Sequence, residues 1–344
     1  MKKKGKILLA IFLVVIILIM SIVIYFSFFN KQQTNGVTKN SKKETIKEEP
    51  KLNIIDLDSD SRPYSIMINN IHNVWGYQSG LNDAYIVYEM LVEGGFTRFL
   101  AVYKDKELDR IGTVRSSRHY FLDYALENDA IYVHFGWSPQ AQSDIKSLNV
   151  DNINFMTYEG YIRDTSLGLA FEHTAFTTTD GIMEGAKYYN YRTTSTSKPV
   201  LNYSVEDVNL SELDSIVANN ITLAFSKNHT TGYVYDAKSK TYKRYQNDLE
   251  HTDYVTKEQY SAKNIIIYQV DYHTIDSYGR QTIDNIGNGT GYYVTEGYAI
   301  PITWQKDSRS SKTVYKLENG DDLKVNDGNT YIEIQPKGQI LSIS

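Results

Sequence analysis

Cysteine is absent from all 344 residues. No disulfide can form, no thiolate can hold a metal or attack a substrate, and no cysteine can carry a lipid. The hydrophobic core alone must hold the fold, which a chain of this length can do. Histidine is scarce, with seven in the chain and no pair at ligand spacing, so neither a metal nor another cofactor is expected. Basic charge is short as well. Lys and Arg number 36 against 41 Asp and Glu, a net charge of −5. Four of those lysines (Lys2, Lys3, Lys4 and Lys6) crowd the N-terminus, which leaves 32 basic against 41 acidic residues elsewhere. So acidic a body is unsuited to neutralising phosphate backbones, and nucleic acid is not an expected partner.

What the chain does have begins with one long apolar run. Residues 7–29, ILLAIFLVVIILIMSIVIYFSFF, carry no charge. As a helix the run is about 34 Å long, enough to cross a hydrocarbon core of ~30 Å. It is longer than a signal-peptide apolar region and ends in Tyr25, Phe26, Phe28 and Phe29, unlike a cleavage site. A retained transmembrane anchor is expected, with the lysine-rich residues 1–6 in the cytoplasm and the body outside. Residues 30–51 are polar and too poor in apolar groups to fold. As a coil they form a tether of roughly 25 Å.

The body reads as two parts: a mixed α/β (or α+β) domain over 52–198, and a mostly-β domain over 199–344. Twenty-nine tyrosines in the chain suit strands with one wet and one buried face. In the first part, residues 64–70 read as a strand, and Ser79 as the N-cap of a short helix. The segment AYIVYEMLVEGGFTRFLAVY then reads as a hairpin turning at Gly94-Gly95. A two-residue loop pairs Glu93 with Phe96, Leu91 with Arg98 and Glu89 with Leu100. Glu89, Glu93 and Arg98 then share one partly apolar face, as an internal salt bridge or as the floor of a polar site.

Arg110, Arg115 and Arg118 follow, around Ser116 and Ser117, which read as the N-cap of a helix over HYFLDYALEN. Cations at the positive end of a helix need an acidic partner, either Glu89 and Glu93 or an anionic ligand. Residues 130–135 read as a buried strand, with His134 near its C-terminal end, and Ser138-Pro139 opens a further helix. His173 precedes a Thr-capped helix near Asp180. Both histidines are candidates for the same site, with packed structural roles as the alternative.

Taken together, several motifs resemble the YerB-like family of bacterial envelope proteins, often lipoproteins, built on a domain of unknown function. They are Arg62-Pro63, Gln78-Ser79-Gly80-Leu81, Tyr88-Glu89, Glu93-Gly94-Gly95 with Thr97-Arg98, and Arg110-Ile111-Gly112 with Val114-Arg115-Ser116 and Arg118. Gly287–Gly291, Trp304-Gln305-Lys306 and Tyr331-Ile332-Glu333 extend the resemblance through the second part. Three features depart from the pattern. Thr113 stands where a proline is usual, the anchor is a helix and not a lipidated cysteine, and Glu172-His173-Thr174 replaces Pro-His-Asn. The last departure weakens any catalytic role for His173. The resemblance implies an envelope location and two domains, with no known reaction.

The second part shows eight strand-like segments, and Asn319-Gly320 is a turn signal. Gly287–Gly291 precedes a strand and does not join strand to helix, which excludes a phosphate loop. A separate, almost all-β unit is expected from about residue 200. No catalytic motif appears. The expected function is binding of a wall polymer, an anionic ligand or an envelope protein. The alternative is an enzyme acting on phosphate-containing glycan intermediates, with the arginines holding phosphate and Glu89 or Glu93 as acid/base.

Overall fold

A computed structural model of the chain describes residues 18–25 and 51–344. Residues 18–25, part of the apolar run, are helical with exposed side chains. Among the described residues no helix is long and apolar enough to cross a membrane. The rest of the expected anchor, the basic tail and nearly all of the tether lie outside the described residues. Residues Pro50–Ser344 form one compact unit.

Within it, residues 52–198 contribute β1 (Tyr64–Asn70), β2 (Ile86–Leu91), β3 (Thr97–Tyr103), β4 (Ile131–His134) and β5 (Asn152–Asn154). Residues 199–344 contribute β6 (Asn220–Ser226), β7 (His229–Asp236), β8 (Thr241–Gln246), β9 (Asn264–Val270), β10 (Gly287–Thr295), β11 (Tyr298–Lys306), β12 (Thr330–Pro336) and β13 (Leu341–Ile343). Three helices are α1 (Phe121–Glu127), α2 (Pro139–Ser147) and α3 (Thr179–Tyr188). The fold is mostly β with some helices.

An eleven-stranded sheet runs β11–β10–β9–β12–β2–β3–β1–β4–β5, with short edge pieces beside β11. Its centre mixes the two parts of the chain: β12 lies parallel to β2 on one side and to β9 on the other. The regular elements of the second part are nearly all strands, but it does not stand apart. Its last long strand completes a sheet begun by the first part. A smaller sheet, β8–β7–β6–β13, is made wholly from the second part.

The large sheet is buried on both faces. One face carries Met67, Tyr88, Met90, Leu100 and Val102 under Phe121, Leu122 and Tyr124 of α1, continuing into Tyr268, Ile302 and Trp304. The other face carries Ile66, Val87, Phe99 and Ala101 against Ile221, Leu223, Phe225 and Tyr233 of the small sheet. Each fully buried side chain of this kind contributes about 1.5–3 kcal/mol. On the α1 side, Lys306 Nζ meets Glu127 Oε2 at 2.7 Å, and both are buried. Trp304 is only 4% exposed and tilts against Tyr268, so it belongs to the core.

Three expectations are corrected here. The hairpin between β2 and β3 turns through three residues, Glu93-Gly94-Gly95, with Val92 N–H bonded to Phe96 O at 2.7 Å. Both glycines have positive φ, 72° and 76°, where a side chain would be strained. The register becomes Leu91↔Thr97, Met90↔Arg98 and Glu89↔Phe99. One residue of slip sends every side chain of one strand to the other face relative to its partner, so Glu89 and Arg98 lie on opposite faces. The helix after the arginines also starts late, at Phe121, without a side-chain cap. Ser117 is taken by the sheet end instead, bonding Gly136 O through its N–H and Tyr132 through its hydroxyl. Similarly, Ser79 precedes only a 3-10 turn, Leu81–Asp83. Ser138 and Thr178 do cap α2 and α3.

Candidate functional site

The candidate residues divide into separate groups. Arg98, on β3, points to the α1 side and is 7% exposed. Its Nη1 donates to Ser116 O at 2.6 Å, its Nη2 lies 3.7 Å from Glu93 Oε2, and its Nε has no partner. Glu93, from the hairpin loop, is gripped by Arg118, whose Nε bonds Oε1 and whose Nη2 bonds Oε2 at 2.9 Å. Arg115 reaches across to Glu172 O at 3.2 Å. Beneath it His173 Nδ1 lies 3.0 Å from Asn69 Nδ2, and Asn69 is the direct register partner of Arg98. Three guanidinium groups, one carboxylate and one imidazole therefore gather near the C-terminal end of β1, which runs parallel to β4. This is the end of such sheets that tends to bind ligands.

The electrostatics show a cationic excess. Burial, reinforced by the charge of Arg118, pulls Arg98 down to about 9. Burial and then Arg115 hold His173 below the usual histidine range, so its imidazole is neutral. Burial pushes the Glu93 carboxyl up, but its hydrogen bonds from Arg118 and the charges of Arg98 and Arg118 outweigh that and lower it. One carboxylate cannot neutralise three arginines, and Glu172, the other acid nearby, is exposed.

The remaining candidates are placed elsewhere. Arg110 stacks on Phe176 at 3.6 Å and bonds Asp164 Oδ2 at 2.9 Å. His134 is fully buried and bonded at both nitrogens, to Gly136 O at 2.8 Å and Asn152 Oδ1 at 3.0 Å. Its role is structural.

Glu89 lies through the sheet from the arginines, with no solvent exposure. Its Oε1 accepts from Thr97 Oγ1 at 2.5 Å, His229 Nε2 at 2.9 Å and Asn70 Nδ2 at 3.1 Å. Its Oε2 accepts from Arg244 Nη2 at 2.5 Å and Thr231 Oγ1 at 3.1 Å. Arg244 is fully buried and also reaches His251 and Tyr233. Glu333, the register partner of Glu89 on β12, accepts from Tyr233 OH. Burial lifts the Glu89 carboxyl, yet Arg244 and His229 prevail and hold it well below the ordinary range. Burial and then the Glu89 charge push Glu333 well above it.

Sequence reading missed Arg244, His229, His251, Glu333 and Asn70 as a connected set around Glu89. One signal was present. In YIEIQP the polar Glu333 and Gln335 alternate with Ile332 and Ile334 on a wholly buried strand.

A cavity of about 780 Å³ lies elsewhere, in the fork where β9 and β10 part beyond the Tyr268–Gly291 pair. It is lined by Tyr268, Trp304, Asp271 and Asp284 among others and shares no residue with the arginine cluster.

Comparison with known proteins agrees with this architecture. The family model described as "Protein of unknown function (DUF3048) N-terminal domain" matches residues 53–192, and its C-terminal counterpart matches residues 221–332. The chain is 30% identical over 289 residues to "Putative lipoprotein YerB" of Bacillus subtilis (strain 168), covering 83% of this chain and 85% of that protein. The crystal structure of the YerB protein from Bacillus subtilis matches with a TM-score of 0.73 at 29% identity, over 86% of this chain and 100% of that one. The chain belongs to the DUF3048 family of proteins of unknown function, as its YerB-like motifs indicated.

Proposed function

We propose that this is a membrane-tethered envelope protein whose body lies outside the cytoplasm and binds an anionic ligand at Arg98, Arg115 and Arg118. The apolar run over 7–29 behind four lysines supports the tether and its orientation. The name of the relative places that protein among lipoproteins. This chain has no cysteine to carry a lipid, so the apolar run is its candidate attachment. The observation that carries the binding reading is Arg98: a buried guanidinium, crowded by two others, with its Nε unpartnered. A phosphate or carboxylate presents the paired acceptors that such forks match.

The enzymatic alternative loses support from the position of Glu89. An acid/base serving a ligand at the arginines cannot act from the opposite face of a buried sheet. Glu93, held at both oxygens by Arg118, is poorly placed to exchange protons. Titration calorimetry of the body, residues 51–344, with sodium pyrophosphate tests the binding reading. Arg115→Ala is expected to weaken binding about tenfold or more. No binding by the parent body, or equal binding by the variant, refutes the reading.

A further inference from the structure

Two large apolar side chains near the arginines are open to solvent. Phe171 is 65% exposed and Met156 66% exposed. Phe171 directly precedes Glu172, whose carbonyl oxygen receives Arg115. Met156 lies over Gly136: a Cβ built on that glycine would stand 3.2 Å from Met156 Sδ and 3.6 Å from Ser116 Oγ. Ser116 in turn supplies the carbonyl that holds Arg98. Phe171 is thus next in sequence to the residue that holds Arg115, and Met156 lies by Gly136 beside Ser116, the residue that holds Arg98.

The patch is braced from within. Arg163 lies under the Phe171 ring at 3.9 Å and against Phe135 at 4.6 Å, and its Nη1 donates to Phe171 O at 2.6 Å. Phe135 packs edge-on against Tyr161 at 4.9 Å. Phe171 is therefore held out toward solvent by its own backbone carbonyl and by a stacked cation.

Resting on the anion-binding reading above, we propose that the ligand is an amphiphilic phosphate. Its phosphate sits at Arg98, Arg115 and Arg118, and its hydrocarbon chain lies across Phe171 and Met156. The charge balance favours this occupant: among the described residues, Glu93 and Glu172 are the acids that act on Arg98, Arg115 and Arg118, and Arg163 adds a further cation beside Glu172. Neither a bare inorganic anion nor a neutral lipid uses both halves of the surface. The same chemistry is presented by a soluble single-chain phosphate and by an anionic headgroup in a bilayer.

The test compares three probes on the body, residues 51–344: sodium pyrophosphate, monomeric dodecyl phosphate, and vesicles of phosphatidylglycerol against phosphatidylcholine. The parent body should bind dodecyl phosphate at least about tenfold more tightly than pyrophosphate, since burying only two methylenes supplies that factor. Phe171→Ser with Met156→Ser should remove this advantage and leave pyrophosphate binding unchanged. Sedimentation with phosphatidylglycerol vesicles, abolished by the double variant, identifies the bilayer as the source. Binding of dodecyl phosphate without vesicle binding identifies a free amphiphile, and both results support the proposal. If pyrophosphate binds but the chain adds nothing, the amphiphile is excluded while the anion site stands. If no probe binds, both fall.

Discussion

Glu89 and Glu333 are direct partners across the parallel pair of β2 and β12, and neither is exposed to solvent. Two charged carboxylates cannot occupy such a site together. Arg244 and His229 hold the charge on Glu89, and Glu333 keeps its proton. The pair spans the two parts of the chain, and Arg244 comes from a third place, the small sheet. This network seals the interface between the sheets.

The two glutamates should therefore respond oppositely to substitution and to pH. Glu333→Gln preserves a neutral donor and should be close to neutral in stability. Glu89→Gln leaves Arg244 buried without its counter-charge and should cost on the order of 3–5 kcal/mol. The signs with pH follow from the shifts. Glu89 is depressed, so its contribution is present above the ordinary value of 4.5 and lost as pH falls. Glu333 is raised, so its contribution is complete below 4.5 and drains as pH rises. Urea unfolding of the parent and Glu333→Gln should show the variant gaining relative stability between about pH 5 and 8. A constant difference would mean that Glu333 is not held protonated.

The shared sheet makes a claim about truncation. Residues 199–344 expressed alone would lose β2 from the edge of β12, Glu127 from Lys306 and Glu89 from Arg244. An exposed central edge and two unpaired buried cations predict a piece without a cooperative melt, prone to association. A sharp thermal transition with a β-type circular dichroism spectrum would show that the second part folds without the first.

Much of the fold was legible locally. Residues 64–70 form β1 as expected, and each of the eight strand-like segments of the second part contains a strand, because alternation and turn residues are local signals. Ser138-Pro139 and a threonine cap near Asp180 were readable for the same reason. What escaped depends on a single residue or on distance. Gly94-Gly95 fits a two-residue turn as well as a three-residue loop, and that one-residue difference moved Glu89 away from Arg98. Ser116 and Ser117 have the composition of a cap, but the end of the sheet takes Ser117 first. Arg244 lies 155 residues from Glu89 in sequence. In TYKRYQ it reads as one more solvent-facing charge, and only the sheet packing reveals that it is buried. The arginine cluster was found in sequence, with Arg98, Arg115, Arg118 and Glu93 together. Arg110 was assigned to it by nearness along the chain, Glu89 by the register of a two-residue turn, and His134 by its place near the end of a strand.

The central claim is that the cluster of Arg98, Arg115 and Arg118 is short of negative charge and is completed by an anion. Thermal melting of residues 51–344 in sodium pyrophosphate, against sodium chloride at matched ionic strength, tests it most directly. An anion that binds only the folded state at about 100 times its Kd adds about 2.7 kcal/mol, so the account predicts a higher melting temperature in pyrophosphate. It also predicts that Arg115→Ala, which removes a single bond to a backbone carbonyl, melts near the parent in chloride and gains much less from pyrophosphate. Identical melting of the parent in both salts, or an equal gain by the variant, would contradict the account and leave the arginines as a structural clamp on Glu93.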